Sequence, residues 1–213
     1  MSLMNVLVRS DYALVGVDTD AVDLDGKHMH VSKILVLAHI PAVLAARGGF
    51  AFFKSAFNIA HENGMGLDEL LAAMPQILCQ LAASPAHADR KGFKEELAAA
   101  GWSTRLNRPL ARAFKVSVER EVSSHDIEFA TVSPPYWDPP EEPPPFESIE
   151  DMVAIAKAQA AYLKKRFPDG RQDGRPTSGG GRFIVARLSR HGLLIKERCD
   201  LGGLFNLGGR SEA

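Results

Sequence analysis

"YALVGVDTDAV", residues 12–22, decides how this chain is read. An apolar, strand-like run ends in Asp18-Thr19-Asp20. A strand that enters a sheet seldom stops on two carboxylates without a task for them, because a buried charge must be paired or hydrogen-bonded. Just upstream, "NVLVR" (5–9) is also β-rich, and Arg9-Ser10-Asp11 between the two reads as a hairpin turn. Downstream, residues 19–30 are polar, with Asp25-Gly26 as a turn signal. "SKILVL" (32–37) and "PAVLAARG" (41–48) then give two more strands around His39.

Gly48-Gly49 breaks this pattern. "FAFFKSAFNIAHENG" (50–64) has helical spacing, with Phe50, Phe53, Phe57 and Ala60 on one face and Gly64 as a stop. "LDELLAAMPQILCQLAAS" (67–84) predicts a second helix with a broad apolar stripe, and Pro75 is expected to kink or split it. "FKEELAAAGWS" has helical propensity. The strand-like "PLARAFKVSV" (109–118) follows, and "HDIEFATVS" (125–133) alternates like one half-buried strand. "PPYWDPPEEPPP" (134–145) holds seven prolines and reads as an extended surface loop.

"SIEDMVAIAKAQAAYLKKRF" (148–167) is the clearest helix, with Ser148 and Asp151 as a capping box and a basic cluster at 164–166. A Gly-rich loop (170–181) leads to "RFIVARLS" and "LLIKERCDL", two strands joined at Arg190-His191-Gly192. Strands and helices thus come in blocks. That order predicts an α+β architecture of antiparallel sheet packed with helices, not an alternating Rossmann sheet. We expect one domain over 1–201, carrying the loop at 134–145, and a flexible tail at 202–213.

The chain has 213 residues, 46% hydrophobic and 24% charged, with a net charge of −1. These values are ordinary for a soluble globular protein and give no pull toward nucleic acid or membrane. No apolar run reaches the length of a membrane span, and no secretory signal is evident, so a cytoplasmic address is expected. Cys79 and Cys199 form no CxxC or metal spacing and read as buried reduced thiols. His28 and His30 read as exposed loop residues, and no cofactor or metal is expected. The 170–181 loop lacks GK[ST] and is not a P-loop.

Taken in order, several stretches resemble the proteasome β-subunit and HslV-like branch of the N-terminal-nucleophile hydrolases. They are "YALVGVDTDAV", "SKILVL", "PAVLAARGGFAFF", "LAAAGWS" and "SGGGRFIVARLSRHG". The resemblance implies a four-layer αββα sandwich of antiparallel sheets flanked by helices. It also implies a strand within 89–102, against local propensity. In that family the N-terminal residue attacks an amide carbonyl, its own α-amine serving as base. By position, Asp18 matches the family Asp, Lys33 the family Lys, Gly48 the oxyanion glycine and Ser178 the late site serine. Two supporting family residues have no counterpart: Arg175 stands where an Asp is expected, and the Pro-rich loop replaces a Gly-Ser-Gly turn.

No Thr stands near the start. Ser2 lies sixteen positions before Asp18, about the family spacing, and would be terminal if Met1 were removed. Met4 follows closely, so residues 1–3 are expected to be an adventitious leader, which would leave no competent nucleophile. Three readings follow. One is a non-catalytic, proteasome-like protein that assembles as a homo-oligomer. Another is an active hydrolase using Ser2, or a processed N-terminus, on peptides or other amides. The third is a partner-binding module acting through 134–145.

Overall fold

The computed structural model describes residues 2–22, 27–88, 94–133, 146–168, 171–172, 175–176 and 179–202. In chain order come β1 (Met4–Val8), β2 (Tyr12–Asp18), β3 (Asp20–Val22), β4 (His28–His30), β5 (Ile34–Leu37) and β6 (Ala42–Arg47). Three helices follow, α1 (Phe50–Glu62), α2 (Leu67–Ala83) and the short α3 (Pro85–Ala88). Then come β7 (Glu95–Ser103), β8 (Arg108–Val116), β9 (Val122–Asp126), β10 (Ala130–Ser133) and α4 (Ile149–Arg166). The chain closes with β11 (Arg171–Gln172), β12 (Arg175–Pro176), β13 (Arg182–Ser189) and β14 (Gly192–Asp200).

This is an α+β protein with two five-stranded antiparallel sheets. One has the order β10-β1-β2-β13-β14 and the other β5-β6-β7-β8-β9. The β3–β4 and β11–β12 pairs are separate two-stranded ribbons. The opening stretch is central to the first sheet. β2 pairs with β1 through the expected turn, Val8 opposite Ala13, and with β13, Asp18 opposite Phe183.

Alternation along β2 sorts its side chains onto two faces. Ala13, Val15 and Val17 join Met4 and Val6 from β1 and pack with Val43, Ala45, Ala98 and Ala100 of the second sheet. Leu14 turns the other way and packs with Phe183, Met152, Ile155 and Leu163, hence against α4. Gly16 shares that face because a Cβ there would lie 2.5 Å from the Phe183 ring and 2.7 Å from the Met152 sulfur. On the second sheet, Leu44, Leu97, Phe114 and Val116 pack with Phe52, Phe53, Leu70, Met74 and Leu78 of α1 and α2. Each fully buried Leu or Phe contributes roughly 1.5–3 kcal/mol, so these three clusters carry the fold.

Several sequence expectations change here. Residues 95–103 form a strand, as the resemblance implied and against their local helical propensity. Residues 125–133 are not one strand: β9 pairs with β8 in one sheet, while β10 pairs with β1 in the other. Pro75 lies inside α2 without splitting it. The buried face of α1 is Phe52, Phe53, Ala56 and Ala60, whereas Phe50 is exposed. Cys79 is exposed and Cys199 half-buried, so neither thiol is a core residue. The α4 capping box is as expected, with the Asp151 N–H donating to Ser148 Oγ at 3.1 Å. The Pro-rich loop (134–145) and most of the tail lie outside the described residues. Among the described residues, no helix is long and apolar enough to cross a membrane.

Candidate active site

The acidic end of β2 meets the lysine before β5. Lys33 Nζ donates to Asp18 Oδ1 at 2.9 Å, and both side chains are buried. The same ammonium donates to Ser2 Oγ at 3.0 Å and to the Asp20 carbonyl. Its recorded partners are thus one anion, one hydroxyl and one carbonyl. Such pairing is what a buried ammonium needs to stay charged.

Asp18 is held as firmly on its other side. Its Oδ1 also accepts the Leu3 N–H at 2.7 Å, and its Oδ2 accepts the Gly180 N–H at 3.0 Å. One carboxylate therefore fixes three things: the lysine, the first residues of the chain and the glycine loop before β13. Ser2 is 6% exposed and Leu3 is fully buried in the cluster against α4.

The glycine turn follows β6, which pairs with β5, and there the Ala46 N–H donates to the Lys33 carbonyl at 3.1 Å. Two residues on, Gly48 has φ +145°, a conformation that L side chains rarely adopt. The structure thus brings Ser2, Asp18 and Lys33 together and sets the Gly48 turn at the end of the strand beside Lys33. Ser178 lies outside the described residues.

Two features were not read from the sequence. The first is a polar collar on the β3–β4 ribbon. His28 Nδ1 lies 3.0 Å from Asp20 Oδ1, and the Gly179 N–H donates to Asp20 Oδ2 at 3.3 Å. His30 Nδ1 is 3.2 Å from Thr19 Oγ1, which also accepts the Arg182 N–H at 3.0 Å. His28 and His30 are therefore ribbon residues with partners, not free loop side chains. The alternation of His28-Met29-His30 was the available signal. The second feature is Glu95, 3% exposed at the start of β7, whose Oε2 accepts the Gly49 N–H at 2.5 Å. Nothing in the sequence links Glu95 to that turn.

Next to the site, Glu96 pairs with Arg47 at 2.7 Å and accepts a 2.7 Å bond from Ser133 Oγ. Burial alone would raise its carboxyl. The Arg47 and Lys115 charges and the Ser133 hydroxyl outweigh burial and hold it below the usual value of 4.5. Among the described residues, no group of three or more His, Cys, Asp or Glu side chains could hold a metal ion. No protein-family model matches the chain, and no curated protein matches it.

Proposed function

We propose that this chain is an amide-bond hydrolase of the N-terminal-nucleophile type, with Ser2 as nucleophile once Met1 has been removed. The observation that carries the reading is the buried Lys33 ammonium, 3.0 Å from Ser2 Oγ and 2.9 Å from Asp18. A fixed positive charge beside a hydroxyl favours its alkoxide-like form, and a carboxylate on the far side holds that charge in place. The three apolar clusters support the finer reading of the fold, with α4, two facing sheets, and α1 with α2 as four layers of an αββα sandwich. This reading sets aside the expectation that no competent nucleophile is present.

The proposed reaction runs in two halves. Ser2 Oγ bonds to the amide carbonyl carbon while its proton passes to the free Ser2 α-amine. The carbonyl oxygen becomes an oxyanion against the Gly48 N–H, a type of contact worth roughly 2.7–4 kcal/mol. The C–N bond then breaks, and the leaving nitrogen takes the proton from the α-ammonium. This leaves an ester on Ser2. Water adds to the ester with the α-amine as base, releasing a carboxylic acid and restoring Ser2. Peptides and other amides fit this chemistry.

The test is turnover of a fluorogenic peptide-amide panel by the full chain with its N-terminal sequence verified. Ser2→Thr should retain activity, whereas Ser2→Ala and Lys33→Ala should abolish it. Undiminished turnover in Ser2→Ala would overturn the assignment. A non-catalytic homo-oligomer is the alternative, and one observation favours self-association. Leu194 and Ile195 are 48% and 40% exposed on the edge strand β14. Concentration-dependent mass by light scattering, lost in Ile195→Lys, would support assembly; a monomer at all concentrations would remove it.

A further inference from the structure

A protonated lysine has three N–H bonds. On Lys33 each has an acceptor: Asp18 Oδ1, Ser2 Oγ and the Asp20 carbonyl. The first two belong to the proposed reaction. The third comes from the β3–β4 ribbon, so whatever fixes Asp20 in that ribbon also sets where the ammonium points. Asp20 stands opposite His30 across the ribbon, and Val22 stands opposite His28. His28 is therefore the diagonal neighbour of Asp20 on the same face, within reach of a long side chain. Its Nδ1 lies 3.0 Å from Asp20 Oδ1 and 3.3 Å from Asp20 Oδ2. A carboxylate only accepts, so that ring nitrogen is the donor.

Asp20 is 4% exposed. Among the described residues its carboxylate has two partners, His28 and the Gly179 N–H at 3.3 Å. His28 is the closer one. Without it, a buried carboxylate keeps a single long bond, in the residue whose own carbonyl holds Lys33. Such a group must reach water or a new donor. Either movement carries the Asp20 backbone with it and disturbs the third bond of Lys33.

We propose that His28 is a positioning residue for the Lys33 ammonium. By holding the Asp20 carboxylate, it keeps the Asp20 carbonyl on Lys33 and leaves the other two N–H bonds to Asp18 and Ser2. It acts through Asp20 and takes no part in bond making. Its effect on rate rests on the Ser2 reading above, whereas its hold on Lys33 can be read without any reaction.

The experiment uses the full chain with Ser2 terminal and has two readouts. One is the rate of adduct formation with a peptide epoxyketone, followed by intact mass. Ser2 Oγ bonds to the ketone carbon, and the α-amine bonds to an epoxide carbon. The ketone oxygen and the released epoxide oxygen take the protons that the hydroxyl and the amine give up. The other is the proton–nitrogen correlation signal of the Lys33 ammonium, assigned by its loss in Lys33→Met. His28→Ala should form the adduct more slowly by roughly tenfold to a hundredfold, because the group beside the nucleophile is misplaced. It should also shift or broaden the Lys33 signal. His28→Asn puts an amide N–H close to where Nδ1 stands, so it should recover most of the lost rate and the parent signal. In an Asp20→Asn background no carboxylate needs holding, and adding His28→Ala should change the rate by less than about threefold.

A role confined to ribbon stability would lower the melting temperature of His28→Ala and leave its adduct rate and Lys33 signal unchanged. That result would overturn the proposal, as would His28→Asn reacting as slowly as His28→Ala. No adduct in the parent would end the Ser2 reading, and the Lys33 signal then decides the positioning role alone. If His28→Ala does not fold, His28→Phe, which keeps a ring without its nitrogens, takes its place.

Discussion

Replacing Asp18 by Asn should destabilise the protein far more than replacing Lys33 by Met. The asymmetry follows from what each substitution leaves behind. Without its carboxylate, the buried Lys33 ammonium keeps only the Ser2 hydroxyl and the Asp20 carbonyl from its recorded partners. The new amide NH2 would also be set against the N–H donors of Leu3 or Gly180, which now meet carboxylate oxygens. Breaking a buried pair this way costs about 3–5 kcal/mol. Without Lys33, by contrast, Asp18 still accepts two backbone N–H bonds, at 2.7 and 3.0 Å. We expect a loss of about 1–3 kcal/mol there. In the double variant no ammonium is stranded, so its loss should fall short of the sum by about 1–3 kcal/mol. The assay is urea unfolding at neutral pH for the four proteins, with the slope of each transition checked for constancy. Equal single losses that add to within about 0.5 kcal/mol would refute the reasoning.

Gly48→Ala should cost about 2–4 kcal/mol in thermal melts, because φ is +145° and the new Cβ would lie 1.9 Å from Glu95 Oε2. A near-neutral effect would mean that the turn and Glu95 are not so placed. Leu3→Ala should cost about 2–5 kcal/mol by urea unfolding, since Leu3 is fully buried against the α4 cluster. An unchanged midpoint would show that residues 2 and 3 are not packed. Glu96 predicts a pH dependence. Its folded-state carboxyl titrates below the usual 4.5, so its contribution is present above 4.5 and is lost as pH falls through the lower folded value. Urea midpoints from pH 7 downward should therefore show a smaller acid-induced loss in Glu96→Gln than in the parent, and identical profiles would contradict this.

Much of the fold was legible because periodicity and turn residues agree over residues 5–83 and 148–200. The block order of strands and helices gave the α+β class, and Ser148 with Asp151 marked the start of α4. The failures have physical causes. Only local propensity misreads 95–103, where the resemblance had implied the strand that is found: the run is rich in good helix formers, yet it lies between β6 and β8. Its Ala98 and Ala100 pack against the other sheet, where small side chains let the layers close; tertiary context overrides propensity there. Residues 125–133 alternate continuously, but after Asp126 the chain crosses to the other sheet, and alternation carries no mark of which sheet a strand joins. Ser2, Asp18 and Lys33, singled out in the sequence by spacing and the resemblance, are in hydrogen-bond contact with Lys33 between the other two. Glu95 was not singled out, because it reaches Gly49 only through the pairing of β6 with β7, a contact between residues 46 positions apart.

The most direct measurement of the central claim is the mass of the N-terminal peptide after the protein, expressed in living cells, has reacted with a peptide epoxyketone. The account predicts a chain that begins at Ser2 and carries the adduct on that residue, with no adduct in Lys33→Ala. An active protein that retains Met1, or an adduct mapped to any other residue, would contradict it.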